Sequence, residues 1–137
     1  YGYQITTFLV GEEVKDVNCQ ARYSHTGVDT TDHISMRVDN CLIDITATIE
    51  TKIDENLIVY GEKGKITLPH SQWADECIFF FFFGTKIIFS DNETQNGFVG
   101  EIQEVMECVR DGKKESSVVP HSLTINCSKV LDMITQK

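Results

Sequence analysis

The side chains that most often carry chemistry are four histidines, His25, His33, His70 and His121, and five cysteines, Cys19, Cys41, Cys77, Cys108 and Cys127. Local zinc sites bring such residues together at spacings like CxxC or HxxxH. None of these residues is so spaced, and a zinc site would have to be assembled from distant segments. The simpler expectation is no metal, with the cysteines as small buried hydrophobes in a reducing cytoplasm. Nucleophilic catalysis has no signature either, since neither GxSxG nor a recognisable Cys/His arrangement occurs. Gly61-Glu62-Lys63-Gly64 joins two apolar runs and precedes no helical pattern, so it reads as a turn rather than a phosphate loop. The 21 aspartates and glutamates show no ordered spacing and are expected to be solvated surface charge.

A chain of 137 residues, 41% hydrophobic and 24% charged, fits one globular domain. A net charge of -9 argues against nucleic acid and anionic membrane surfaces, which recruit Lys and Arg. The longest apolar run, 77–83, is far short of the roughly 18 residues of a membrane span. The first residues show no signal-peptide pattern. A cytoplasmic protein is the expectation.

The hydrophobic periodicity places the elements. "YGYQITTFLVG" sets Ile5, Phe8 and Leu9 at helical spacing and Gly11 at the stop, but no N-cap precedes it, which suggests a cut chain. Period-two alternation follows. Val17, Cys19, Ala21 and Tyr23 share one face, then Ile34, Met36 and Val38, then Ile43, Ile45, Ala47 and Ile49. A hairpin turn is expected at Asp39-Asn40, another at 61–64, and a third at Gly84-Thr85. Two helices close the chain. One runs from Phe98 to Arg110 with Phe98, Val99, Ile102, Val105, Met106 and Val109 as its stripe. The other begins near Pro120 and carries Leu123, Cys127, Val130, Leu131 and Ile134. The fold class read from this is α+β, an open, mostly antiparallel sheet with helices on one face.

Phe79, Phe80, Phe81, Phe82 and Phe83 break the alternation. A strand apolar on both faces is either central and shielded by its own loop around 70–76, or part of an interface with a second subunit or domain.

Residues 97–134, "GFVGEIQEVMECVRDGKKESSVVPHSLTINCSKVLDMI", resemble the C-terminal signature of the Gfo/Idh/MocA oxidoreductases. Glucose–fructose oxidoreductase, inositol dehydrogenase and the dihydrodiol dehydrogenases are members. "TGVD" at 26–29, "GEKGKITLP" at 61–69 and the following Trp73 agree in order, so the similarity runs over essentially the whole chain.

The resemblance implies a dihydrodipicolinate-reductase-like substrate and oligomerisation domain over residues 1–137. Its Rossmann partner would hold NAD or NADP and lie upstream of Tyr1. No cofactor-binding residue is then expected in this chain, which alone would be inactive. Aligning Leu9-Val10-Gly11 with the family's Leu-x-Gly puts Tyr1 at its His/Tyr position. There Tyr1 is either a general acid/base acting on a substrate hydroxyl or merely the first residue of a helix. A phenol doing that work needs a lowered pKa, normally from a neighbouring Lys. The expected activity is hydride transfer at a sugar, polyol or diol hydroxyl. The expected partner is a second copy, bound through the open sheet face with Phe79 to Phe83 in the contact. The alternative is a non-catalytic dimeric binding or regulatory module of the same fold.

Overall fold

The computed structural model describes residues 1–94 and 96–135. In chain order these form helix α1 (Gly2–Val10) and strands β1 (Val14–Tyr23), β2 (Asp29–Val38), β3 (Cys41–Thr48), β4 (Leu57–Gly61), β5 (Gly64–Leu68), β6 (Glu76–Phe81) and β7 (Lys86–Ser90). Helices α2 (Phe98–Arg110) and α3 (His121–Thr135) follow. The fold is α+β with open antiparallel sheets. The strands form two sheets, β1-β2-β3 and β4-β5-β6-β7, rather than one. The stretch 49–56, "IETKIDEN", is charged and offers no tight turn, so the ladder does not continue from β3 to β4. The chain divides into two compact units, Tyr1–Lys52 with Glu115–Lys137, and Ile53–Lys114.

In the first unit β2 is central, and α1 and α3 cover one face of the sheet. The core gathers Tyr3, Met36, Leu123 and Val130, flanked by Val14, Val17, Ile43, Ile45, Cys127 and Ile134. Burying each large apolar side chain is worth roughly 1.5–3 kcal/mol. A bulge lets β1 contribute two valines from one side. The register jumps from Lys15↔Arg37 to Asn18↔Ser35, with Asp16 at φ 52. The extra residue turns both Val14 and Val17 inward. The Arg37 guanidinium donates to the Asp16 carboxylate (Nε to Oδ2, 2.8 Å) and ties the bulge to β2.

Helix α1 buries Tyr3, Thr6 and Thr7, not the expected Ile5, Phe8 and Leu9 face; Phe8 is 75% exposed. Threonines can turn inward here because their hydroxyls donate to helix carbonyls, Thr6 to Gly2 at 2.8 Å and Thr7 to Gln4 at 3.1 Å. Helix α3 follows its stripe more closely, with Leu123 and Val130 buried and Cys127 and Ile134 packed beside them, although Leu131 is half exposed. Its first turn is capped by Glu115, whose carboxylate accepts the His121 N–H at 2.7 Å.

The second unit is a meander of hairpins followed by α2. The β4–β5 turn pairs Gly61 with Gly64. A Cβ on Gly64 would lie 3.1 Å from the Phe80 carbonyl carbon and from the Phe81 Cα, and closer still to the Phe80 carbonyl oxygen. Only glycine lets β5 approach β6 there. At the start of α2 the Asn96 side-chain oxygen accepts the Phe98 N–H at 2.9 Å. The Phe98 ring meets Trp73 edge-on at 5.3 Å. Trp73 thus fixes where α2 begins. The α2 stripe expected to pack is exposed from Phe98 to Val109, and the helix buries Cys108 instead. Among this unit's described residues, Cys108 and Gly64 alone are buried.

Candidate functional site

The two candidate sites fall in different units. Tyr1 stands at the head of α1, where its carbonyl accepts the Ile5 N–H at 2.9 Å. Its side chain is 66% exposed and forms part of the rim of an apolar cavity of about 210 Å³. Ile34, Met36 and Ile45 of the sheet and Val130 and Leu131 of α3 supply other parts of the wall. Among the described residues none of those lining the cavity is a lysine, so the charge that would turn the Tyr1 phenol into a base is not in the wall.

Tyr3, two residues on, is the group that sequence reasoning missed. It is only 9% exposed, and its hydroxyl has no hydrogen-bond partner among the described residues. Burial pushes its phenol above the ordinary range, with the Cys127 sulfur and the Glu12 carboxylate adding to the effect. Both Tyr3 and Cys127 line the cavity. The sequence held one signal, an aromatic i, i+3, i+4 from Thr6 and Thr7 on one helical face, but threonines do not advertise burial.

The phenylalanine run is divided by the pleat. Phe79 and Phe81 point to one face with Val59 and Ile66, their ladder neighbours, and with Ile87 of β7. The two rings touch edge-on at 4.3 Å. This face, which also holds Leu57, Leu68, Cys77 and Phe89, carries no charge. Phe80 points to the other face beside Lys65 and Lys86. Phe82 and Phe83 are not in the strand. They form the β6–β7 tip before Gly84 (φ 102), and Phe83 is fully exposed. The run is therefore a three-residue strand segment and a two-residue apolar tip.

A dinucleotide needs a glycine-rich turn from a strand into a helix, with free backbone N–H groups for its phosphates. The passage from β7 to α2 is instead acidic. The Asp91 carboxylate takes the backbone N–H groups of Glu93 and Thr94 at 2.9 and 3.1 Å. The Thr94 hydroxyl and these two amides hold its carboxyl below the ordinary range. Such a turn repels a pyrophosphate, and the residues present do not fit NAD or NADP. Among the described residues no three of His, Cys, Asp and Glu come together to hold a metal ion. No helix among them is long and apolar enough to cross a membrane. No protein-family model matches the chain, and no curated protein does.

Proposed function

We propose that this chain is the substrate-contacting and assembly domain of an NAD(P)-dependent, Gfo/Idh/MocA-type oxidoreductase acting on a sugar, polyol or diol hydroxyl in the cytoplasm. The ordered motifs at 26–29, 61–69, Trp73 and 97–134 support the family, and five cysteines without CxxC spacing fit the compartment. The cofactor would be held by residues outside these 137.

One observation carries the assembly role: the four-stranded sheet has an uncharged face, exposed at Ile87 and Phe89, in a unit with almost no interior of its own. For an acidic chain of net charge -9, a patch free of charge is where self-repulsion opposes pairing least. At roughly 200 Å² for a whole Phe side chain, Phe89 (61% exposed) and the tip residue Phe83 (100% exposed) offer about 300 Å² between them. Ile87, 40% exposed, adds to this, and the other residues of the face are half-buried or smaller. The partner in this reading is a second copy, face to face.

Sedimentation velocity tests it. The chain should be dimeric at tens of micromolar, Phe89→Lys should yield a folded monomer, and Phe80→Ser, on the charged face, should leave the dimer intact. A monomeric wild type removes the assembly role. Catalysis is tested separately, in an oxidoreductase containing this chain. Tyr1→Phe should lower kcat by about 10²–10⁴-fold and leave the cofactor KM unchanged. Activity within threefold of wild type takes Tyr1 out of the mechanism. The second reading, a non-catalytic dimeric binding module, draws support from the cavity wall beside Tyr1, where the described residues include no lysine. It predicts dimerisation without any such kinetic effect.

A further inference from the structure

We propose that β7 is an assembly edge, which pairs antiparallel with β7 of a second copy about a two-fold axis at Ile88. The two four-stranded sheets then become one. Strand β7 ends its sheet and pairs with β6 alone, and all five of its residues are exposed. Edges are usually blunted by a bulge, a proline or charge. The register of β7 runs unbroken from Lys86 to Ser90, with one lysine at its end and no proline.

The hydrogen bonds define which groups the edge offers. The Phe81 N–H donates to the Thr85 carbonyl at 2.8 Å, and the Asp91 N–H to the Asp75 carbonyl at 2.7 Å. Bonded pairs alternate along an antiparallel ladder, so Ile87 and Phe89 also turn their backbone groups toward β6. Lys86, Ile88 and Ser90 turn theirs outward. A two-fold axis at Ile88 uses all three. Ile88 meets Ile88 of the second copy, and Lys86 meets its Ser90 in both directions, each pair exchanging two backbone bonds. An axis one residue away on either side leaves Ser90 or Lys86 beyond the end of the other strand.

Side chains and charge favour the same partner. On the uncharged face Ile87 falls opposite Phe89, a β-branched residue against an aromatic, and that face becomes continuous across both copies. On the other face Lys65 and Lys86 flank Phe80 at one end of the sheet, while Glu76 sits beside Ser90 at the other. The two-fold axis brings the cationic end of one copy against the acidic end of the next. Lys86 and Glu76 of the second copy then stand on either side of the small Ser90. They are two strand spacings apart, about 10 Å, a gap that two long side chains can bridge. Among the described residues neither Lys86 nor Glu76 is in an ion pair within its own chain. This edge is separate from the face-to-face contact and does not rest on it. With both contacts the assembly is a tetramer, and with the edge alone a dimer.

The test is hydrogen exchange of the β7 amides, followed by NMR from tens to hundreds of micromolar chain. The Lys86, Ile88 and Ser90 amides should exchange freely in dilute solution and slow about tenfold or more as concentration rises. Ile87 and Phe89 should stay protected throughout. Ile88→Pro removes only an outward N–H, so β6 and β7 stay paired, and the concentration dependence at Lys86 and Ser90 should vanish. Ser90→Lys sets lysines opposite each other twice while gaining Glu76 as a neighbour in its own chain. It should weaken pairing about fivefold, and adding Lys86→Glu should restore it. Three results overturn the proposal: outward amides that exchange freely at every concentration, protection that survives Ile88→Pro, or pairing of Ser90→Lys as tight as that of the wild type. The face-to-face contact is judged apart from this, because Ile88→Pro should still sediment as a dimer if that contact forms.

Discussion

Gly64→Ala isolates one physical effect. Gly64 has no positive φ, so alanine meets no backbone strain there and only space is at issue. The new methyl would press on the Phe80 carbonyl oxygen, and its other close neighbours, at 3.1 Å, are also backbone. No rotamer change relieves such a contact; β5 must move away from β6. Overpacking costs about 1–3 kcal/mol where side chains can yield, and a backbone obstacle belongs at the upper end. The entropy lost by the unfolded chain returns about 0.5–1 kcal/mol, leaving a net loss of about 2 kcal/mol. Gly61→Ala, its ladder partner, is the control. Its Cβ would sit 3.7 Å from the nearest atom, the Gly64 carbonyl oxygen, an ordinary contact. That variant should be neutral or slightly stabilised. Hydrogen exchange at the Lys65 and Phe80 amides, a pair across β5 and β6, reads both variants, with urea midpoints as a second measure. Exchange should accelerate about 30-fold in Gly64→Ala and stay unchanged in Gly61→Ala, since every 1.4 kcal/mol is a factor of ten. Equal behaviour of the two would refute the claim that close backbone approach is why a glycine stands at 64.

Calorimetric titration of the chain with NADH and NADPH should be flat, and micromolar binding of either would overturn the reading of the β7–α2 turn. Tyr3→Phe should raise stability by about 1 kcal/mol in urea unfolding, because an unpaired buried hydroxyl is removed; a loss of stability would mean the hydroxyl has a partner. Burial, then the hydrogen bond and charge of Asp29, raise the Asp32 carboxyl above its ordinary value. Its ionised form therefore weighs against the folded state at neutral pH. Asp32→Asn should raise the urea midpoint there, and the gain should vanish below about pH 4, where the carboxyl is protonated in both states. A gain that persists in acid would assign it to packing. Under native conditions Cys41, exposed, should be alkylated before Cys108, which is buried and whose thiol is pushed up by burial and by Glu104. Mass spectrometry of the partially labelled chain gives the order.

How much of this was legible depended on whether a residue's partners lie nearby in sequence. Helix α2 runs from Phe98 to Arg110 as the periodicity indicates, and the turn at Asp39 follows from its neighbours. The inward sets of β2 and β3 were also plain from alternation, except that Ala47 is exposed and Ile49 lies beyond the strand and is exposed too. The bulge at Asp16 left no local mark, because it is stabilised by Arg37 from another strand. The face of α1 was misread because Phe8 and Leu9 outrank threonines on any hydrophobicity scale, while the packing against Met36 and Val130 selects Tyr3. The break into two sheets depends on strand pairing that no periodicity reports. Of the candidate sites, Tyr1 and the phenylalanines were visible as residues. The cavity and the unpaired Tyr3 hydroxyl exist only once α1, α3 and the sheet are brought together.

The first unit is assembled from two ends of the chain, with Ile53–Lys114 inserted between them. During synthesis the first helix and three strands emerge without Leu123 and Val130, half of their buried core. They must wait for α3 to leave the ribosome. Closing so long an excursion costs on the order of 4 kcal/mol if the inserted stretch is a flexible coil. The inserted unit is continuous and built from neighbouring hairpins, so it is able to form first and shorten that excursion. Its apolar sheet face is then exposed while the core of the other unit is still incomplete, and this is the interval in which premature association between nascent chains is most costly.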